Sequence, residues 1–153
     1  MTADSPATPV DRQVDPRGVR FGASITLAIA LVAVLAGPTT VGLVAMALLV
    51  VLFAPGATVG PQATVQSWLF IRLVRPRIGP PTETESFRPP RFAQQMGFAM
   101  AILALVLGLV GVGIGFYVFA AMVLVASFLN AVFNFCLGCE IYLAVRKATT
   151  RAA

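Results

Sequence analysis

Residues Phe21 to Ala54 read FGASITLAIALVAVLAGPTTVGLVAMALLVVLFA, without one charged side chain. Two apolar runs, about 19–36 and 39–54, flank the short stretch Gly37-Pro38-Thr39-Thr40. Gly and Pro break helices and Thr suits the cap of the next one, so this stretch predicts a tight turn between two helices. Each run is shorter than the ~20 residues that span a bilayer comfortably, but its flanks or local thinning make up the difference. The second run is expected to stop at Pro55-Gly56.

The pattern recurs. A third run covers about 92–110, Gly111 to Gly115 form a glycine-rich turn, and a fourth covers about 116–137. Continued as helix through Cys136-Leu137-Gly138-Cys139 to Arg146-Lys147, the fourth would outrun a ~30 Å hydrocarbon core, placing its last turns at or beyond the interface. Arg17-Gly18-Val19-Arg20-Phe21 before the first helix resembles Arg88-Pro89-Pro90-Arg91-Phe92 before the third. A duplicated two-helix unit, with halves related by an axis along the membrane normal, would explain the match.

Composition agrees with a membrane setting. Hydrophobic residues make up 58% of the 153 residues and charged ones 11%, against roughly a quarter charged in globular proteins. So few charges cannot cover a water-facing surface. The expected fold is therefore an all-α membrane protein: a four-transmembrane-helix bundle built from two helical hairpins. Residues 1–14 read as a disordered tail, 15–147 as a single membrane domain and 148–153 as a C-terminal tail. Three further apolar runs, with no hydrophilic domain after the first, exclude a cleaved signal peptide.

The net charge is +5, and its placement carries the information. Arg12, Arg17 and Arg20 precede the first helix; Arg72, Arg75, Arg77, Arg88 and Arg91 lie in the central loop; Arg146, Lys147 and Arg151 follow the fourth helix. The two turns carry no charge. In a four-span arrangement all basic residues fall on one face, assigned to the cytoplasm by the positive-inside rule. The location expected is thus a bacterial inner membrane with both termini cytoplasmic, membrane lipid as the first partner and no nucleic acid. Within the loop, Val65, Trp68, Leu69 and Leu73 recur at helical spacing opposite Arg72 and Arg75. They predict an interfacial helix at about 62–75, with Trp68 at headgroup level, broken by Arg75-Pro76-Arg77. Trp68 and the loop arginines are the candidate membrane- or partner-binding residues.

Within the spans, Ala93, Gly97, Ala101, Ala104 and Gly108 form a small-residue stripe suited to close helix packing, inside one bundle or in a homo-oligomer. Ser127, Asn130 and Asn134 share a stripe on the fourth helix. Buried in lipid they need partners, whether another helix, a headgroup or a quinone. No acidic residue lies in mid-span, which argues against a proton-coupled pump.

The strongest chemical signal is Cys136-Leu137-Gly138-Cys139-Glu140. C-x-x-C is the recurring unit of thiol–disulfide exchange. On a continuous helix Cys136, Cys139 and Glu140 share a face, with Glu140 as a proton acceptor for one thiol and Arg146 and Lys147 favouring the thiolate. Such a pair usually exploits a helix N-terminus, whereas this one comes late in a predicted helix unless a break at Gly138 starts a new one. Two competing uses are packing of small apolar side chains and a metal site completed by a dimer. With two thiolates, Glu140 and no His, a metal site within one chain is not expected; no cofactor is expected either.

Four segments carry a family resemblance: Val14-Asp15-Pro16-Arg17, Leu73-Val74-Arg75-Pro76-Arg77-Ile78-Gly79-Pro80-Pro81, Arg88-Pro89-Pro90-Arg91-Phe92-Ala93-Gln94, and Phe128-Leu129-Asn130-Ala131 leading to Phe135-Cys136-Leu137-Gly138-Cys139-Glu140. Together they resemble an uncharacterised bacterial membrane family, domain of unknown function 4395, over about Val14 to Lys147. That family is mostly actinobacterial, and its members tend to be encoded near thioredoxin-like and sulfurtransferase proteins. The resemblance implies a cytoplasmic thiol partner for Cys136 and Cys139. The vitamin K epoxide reductase proteins are a looser analogy, because this chain lacks their additional loop cysteines. The leading expectation is a dithiol protein exchanging electrons or sulfane sulfur with such a partner. A non-enzymatic membrane scaffold, or a carrier of a small sulfur compound lined by the Asn stripe, are the alternatives.

Overall fold

The computed structural model describes residues 12–152. Four helices are long and apolar enough to cross a membrane: α1 (Pro16–Ala36), α2 (Thr40–Thr58), and, after the central loop, α5 (Arg88–Leu109) and α6 (Gly113–Phe133). Between α2 and α5 the chain forms a short 3-10 turn (Pro61–Ala63), α3 (Val65–Leu69), a wider π-helical turn (Phe70–Val74) and α4 (Arg75–Ile78). A last helix, α7 (Leu137–Ala152), follows α6.

Several helices start earlier than their apolar runs because the flanking residues pre-organise the first turn. Asp15 caps α1, accepting a hydrogen bond from the Arg17 N–H at 3.0 Å, and Pro16 opens the helix. Pro89 and Pro90 sit where α5's missing N–H groups cost nothing. Thr39 stands at the start of α2, but no side-chain bond to it is found. Helix α2 does not stop at Pro55-Gly56; it passes through Pro55 to Thr58, as spanning helices tolerate where neighbours re-satisfy the backbone. The expected N-terminal tail ends sooner than Val14, since Gln13 and Val14 pair antiparallel with Glu85 and Ser86 as β1 and β2. Residues 1–11 lie outside the described residues. The expected C-terminal tail is helical as far as Ala152.

The four long helices close a ring in which α1 packs on α2 and α6, and α5 packs on α2 and α6. Its core is built from small and medium side chains: Ala30, Ala33, Ala45, Met46, Leu49, Phe53, Ala101, Ala104, Phe116, Ala120 and Val123. The small-residue stripe of α5 serves this ring. Ala101 and Ala104 are fully buried, and a Cβ at Gly108 would come 2.7 Å from Leu43 Cδ2 and 2.8 Å from Phe116 Cδ2. Where lipid gives no hydrophobic drive, such close contact is what holds helices together. The outer surface is the reverse of a soluble protein's. Leu35, Val44, Val51, Val118 and Val125 are among many large apolar side chains left exposed.

Two arginines tie helix ends together at one end of the ring. Arg20 of α1 donates from Nε to the Ala131 carbonyl at 2.9 Å, near the C-terminus of α6. Arg91 of α5 donates from a guanidinium NH2 to the Thr58 carbonyl at 2.9 Å, at the C-terminus of α2. These are the second arginines of the two resembling segments, and each meets the orphan carbonyls and negative dipole end of a neighbouring helix.

The central loop departs from its reading in two respects. Pro76 does not break the helical path, which runs to Ile78 and ends at Gly79 with φ 77°. Trp68 and Arg72 are not opposed; the Arg72 guanidinium lies over the Trp68 ring at 5.5 Å, as residues four apart on a helix do. Gln66 and Phe70, each 3% exposed, form the buried face. They rest against Gly22 and Gly18 of α1, where the absent side chains leave room. Arg17 completes the junction with an ion pair to Asp15 at 3.0 Å and a hydrogen bond to the Gly79 carbonyl at 3.1 Å. Burial alone would raise the Asp15 carboxyl, but the hydrogen bonds and charge of Arg17 hold it below its ordinary value.

A cysteine pair at a helix start

Sequence periodicity predicts a fourth helix reaching residue 137 and beyond. The structure ends α6 at Phe133, with Asn134 in the left-handed region at φ 54°, ψ 30°. Asn is among the few residues other than Gly that adopt this conformation readily. The N–H groups of Asn134 and Phe135 both turn back to the Leu129 carbonyl, and the chain is redirected. The break therefore comes before the cysteines, not at Gly138.

Cys136 consequently occupies the cap position of α7. Its carbonyl accepts the first helical bond, from the Glu140 N–H at 3.0 Å. Its sulfur accepts from the Cys139 N–H at 3.3 Å, as a Ser or Thr cap oxygen would. The Cys136 and Cys139 sulfurs are within bonding distance, with Cα atoms 5.2 Å apart. Placement late in a helix thus gives way to placement at a helix start, where unpaired N–H groups and the positive dipole end favour a thiolate.

Gly138 sets the position of this turn. A Cβ there would lie 2.7 Å from both Cα and Cβ of Ala93, so α7 approaches the backbone of α5 directly. Farther along, the Phe92 and Tyr142 rings meet at 5.7 Å. Glu140 is exposed in the first turn, and among the described residues its carboxylate has no hydrogen bond to either sulfur. Arg146 follows Cys136 by ten residues, or ~15 Å along a helix. The N-terminus of α7 is therefore the nearer source of positive potential.

Behind the pair lies a partly open cavity of about 110 Å³ among α1, α5, α6 and α7, with Phe53 of α2 on its wall. Cys136 lines it and Cys139 does not. The predicted polar stripe is divided. Ser127 is buried, and its hydroxyl donates to the Val123 carbonyl of its own helix at 2.8 Å, not to another helix. Asn130 lines the cavity beside Cys136, whereas Asn134 faces a second cavity of about 200 Å³ with Asp15, Arg17, Arg20, Thr82 and Glu83.

The arginine cluster is likewise not uniform. Arg72 stacks on the exposed Trp68, and Arg75 and Arg77 are exposed. The Arg88 N–H donates to Ser86 Oγ at 3.3 Å. Arg91 holds the end of α2, as described. Sequence reading missed Arg20, Gln94 and Gly138 as parts of the site's frame. The matching segments around Arg20 and Arg91 were the signal for the first. Gln94, which lines the 110 Å³ cavity with a buried Oε1 that has no partner among the described residues, gave none. No group of three or more potential metal ligands comes together among the described residues.

No curated protein and no solved structure matches the chain. The family model described as Domain of unknown function (DUF4395) matches residues 14–147. The chain therefore belongs to the DUF4395 family, whose function is unknown.

Proposed function

We propose that this protein is a membrane dithiol–disulfide exchanger whose reactive pair is Cys136 and Cys139. The observation that carries the reading is the position of Cys136 as cap of α7, bonded through its sulfur to the Cys139 N–H. A thiolate at that place is stabilised and is a good leaving group. In the exchange, a partner thiolate attacks the Cys139 sulfur, the Cys136–Cys139 bond breaks and Cys136 leaves as thiolate. The partner's second thiol then attacks its own sulfur in the mixed disulfide and releases Cys139. The partner dithiol ends oxidised and the membrane pair reduced, with two electrons transferred. A cytoplasmic thioredoxin-like or sulfurtransferase protein is the partner class this chemistry fits. Glu140, exposed one residue after Cys139, takes up the proton released.

The same reading places two hairpins, α1–α2 and α5–α6, across a bacterial inner membrane with termini and central loop in the cytoplasm. Its support is the gathering of Arg20 and Arg91 at one end of the ring, with the uncharged turns at Gly37 and Gly111 away from them. The segment from Val65 to Ile78 would lie on the membrane surface, with Trp68, Ile71 and Leu73 toward lipid and Arg72, Arg75 and Arg77 toward anionic headgroups.

Free thiols in intact membranes are blocked with a permeant alkylator, the disulfides are reduced, and the released thiols are tagged. An impermeant alkylator on right-side-out and inverted vesicles reports the side. We expect a reversible disulfide reached from the cytoplasmic face and lost in Cys136→Ser and Cys139→Ser, both of which still insert. Permanently reduced, unreactive thiols would leave a scaffold protein instead.

A further inference from the structure

We propose that the cavity behind Cys136 binds the ring of a lipid-soluble quinone, which accepts two electrons and two protons from the reduced Cys136–Cys139 pair. The inference rests on the dithiol reading and names the second reactant. A dithiol that is reduced by one partner must be reoxidised by another, and the chain holds no second cysteine pair to do so.

The cavity's place and lining select the class. It lies among the four spanning helices and the first turn of α7, and it is partly open. Its walls are mostly apolar, including Val19, Phe53, Met100 and Val123. At about 110 Å³ it is smaller than the ~150 Å³ that takes up a benzene ring in an apolar protein core. A quinone would therefore seat one edge of its ring there and leave the rest in the open mouth.

The polar groups are few, and two are already engaged. The Thr26 hydroxyl donates to the Gly22 carbonyl at 3.1 Å and Ser127 to Val123, both within their own helices. Two remain. The Asn130 amide has no hydrogen bond among the described residues, and Gln94 has a buried Oε1 without a partner, packed against Gly56 of α2. The Asn130 amide is a donor suited to a quinone carbonyl. An acyl chain offers nothing to either group and accepts no electrons.

The balance closes within the pair and the ring. The two S–H bonds break and one S–S bond forms. Two electrons pass to the quinone, and the two thiol protons end on its two oxygens, giving the hydroquinone. Cys136, the sulfur on the cavity wall, is the one that meets the ring.

The test uses the full chain in lipid nanodiscs. The pair is reduced with dithiothreitol, the reductant is removed, and a dimethylnaphthoquinone is added, its ring positions blocked against thiol addition. Quinone absorbance and thiol tagging are followed together. We expect one quinol for each disulfide formed, and a rate lower by about tenfold or more in Ala126→Phe, which fills the cavity, and in Asn130→Leu, which removes the donor. An unchanged thermal midpoint by circular dichroism checks that each variant has folded. Native mass spectrometry should also find the quinone on the Cys136→Ser/Cys139→Ser chain, and less of it once Ala126→Phe is added. A pair that dithiothreitol reduces but the quinone does not reoxidise overturns this inference and leaves the exchanger intact. Equal rates in the unaltered chain and Ala126→Phe overturn the cavity as the site. A pair that dithiothreitol cannot reduce overturns the exchanger itself, and this inference with it.

Discussion

At position 138, between the two cysteines, two effects of adding a methyl group oppose each other. Alanine is a better helix former than glycine by ~1 kcal/mol. Its Cβ, however, would stand 2.7 Å from the Cα of Ala93, a backbone atom that no side-chain rotation can move. Overpacking of this kind costs about 1–3 kcal/mol, so the clash should win. Gly138→Ala is expected to lower the thermal midpoint in detergent micelles and to shift α7 away from α5. A midpoint equal to or above that of the unaltered chain would show that α7 does not depend on this contact. The chemistry of single residues was only partly legible beforehand. The C-x-x-C pair is visible in any reading, because it depends on two letters and their spacing. That Cys136 caps a helix was not visible, because it depends on the backbone turn at Asn134, and Asn mid-run reads equally well as helix.

The arginines at the helix ends belong to the scale of elements. Arg20 and Arg91 each bridge from the start of one spanning helix to the end of another, α1 to α6 and α5 to α2. Positively charged side chains at a helix C-terminus contribute up to ~1 kcal/mol where exposed. Arg20→Ala and Arg91→Ala should each destabilise by roughly that amount, measured by denaturant or thermal unfolding. Because the two bridges share no partner, the double variant should show nearly the sum. A much larger loss in the double variant would mean that the ends close as one unit. The repeat Arg-x-x-Arg-Phe reads in sequence as a duplicated hairpin, but does not show that the second arginine of each copy reaches across to the other half. Helix limits were less legible. Apolar runs mark where lipid begins, whereas Asp15, Pro16, Pro89 and Pro90 start their helices on flanking residues by satisfying or removing N–H groups.

For the whole molecule, the decisive quantity is the apolar outer surface. Val125, in the middle of α6, is 52% exposed on that surface. With lipid as the solvent, an arginine there costs about 3 kcal/mol of insertion free energy. Val125→Arg is therefore expected to reduce the inserted fraction in a membrane-insertion assay by on the order of a hundredfold in the equilibrium constant. Unchanged insertion would argue that this face is covered by protein, as in a homo-oligomer, and not by lipid.

The sequence by itself determined the number of long apolar helices, the short turns between them, and the gathering of basic residues outside the apolar runs. Those features follow from local composition, because a bilayer selects for length and hydropathy and disfavours charge wherever the chain crosses it. The tertiary structure alone decided that the helices close in the order α1, α2, α5, α6, that α7 folds back on α5 at Gly138, and that Asn130 shares a cavity with Cys136 while Asn134 does not. Each of these depends on contacts between residues far apart in the chain, and on one left-handed residue whose effect on direction no local pattern encodes.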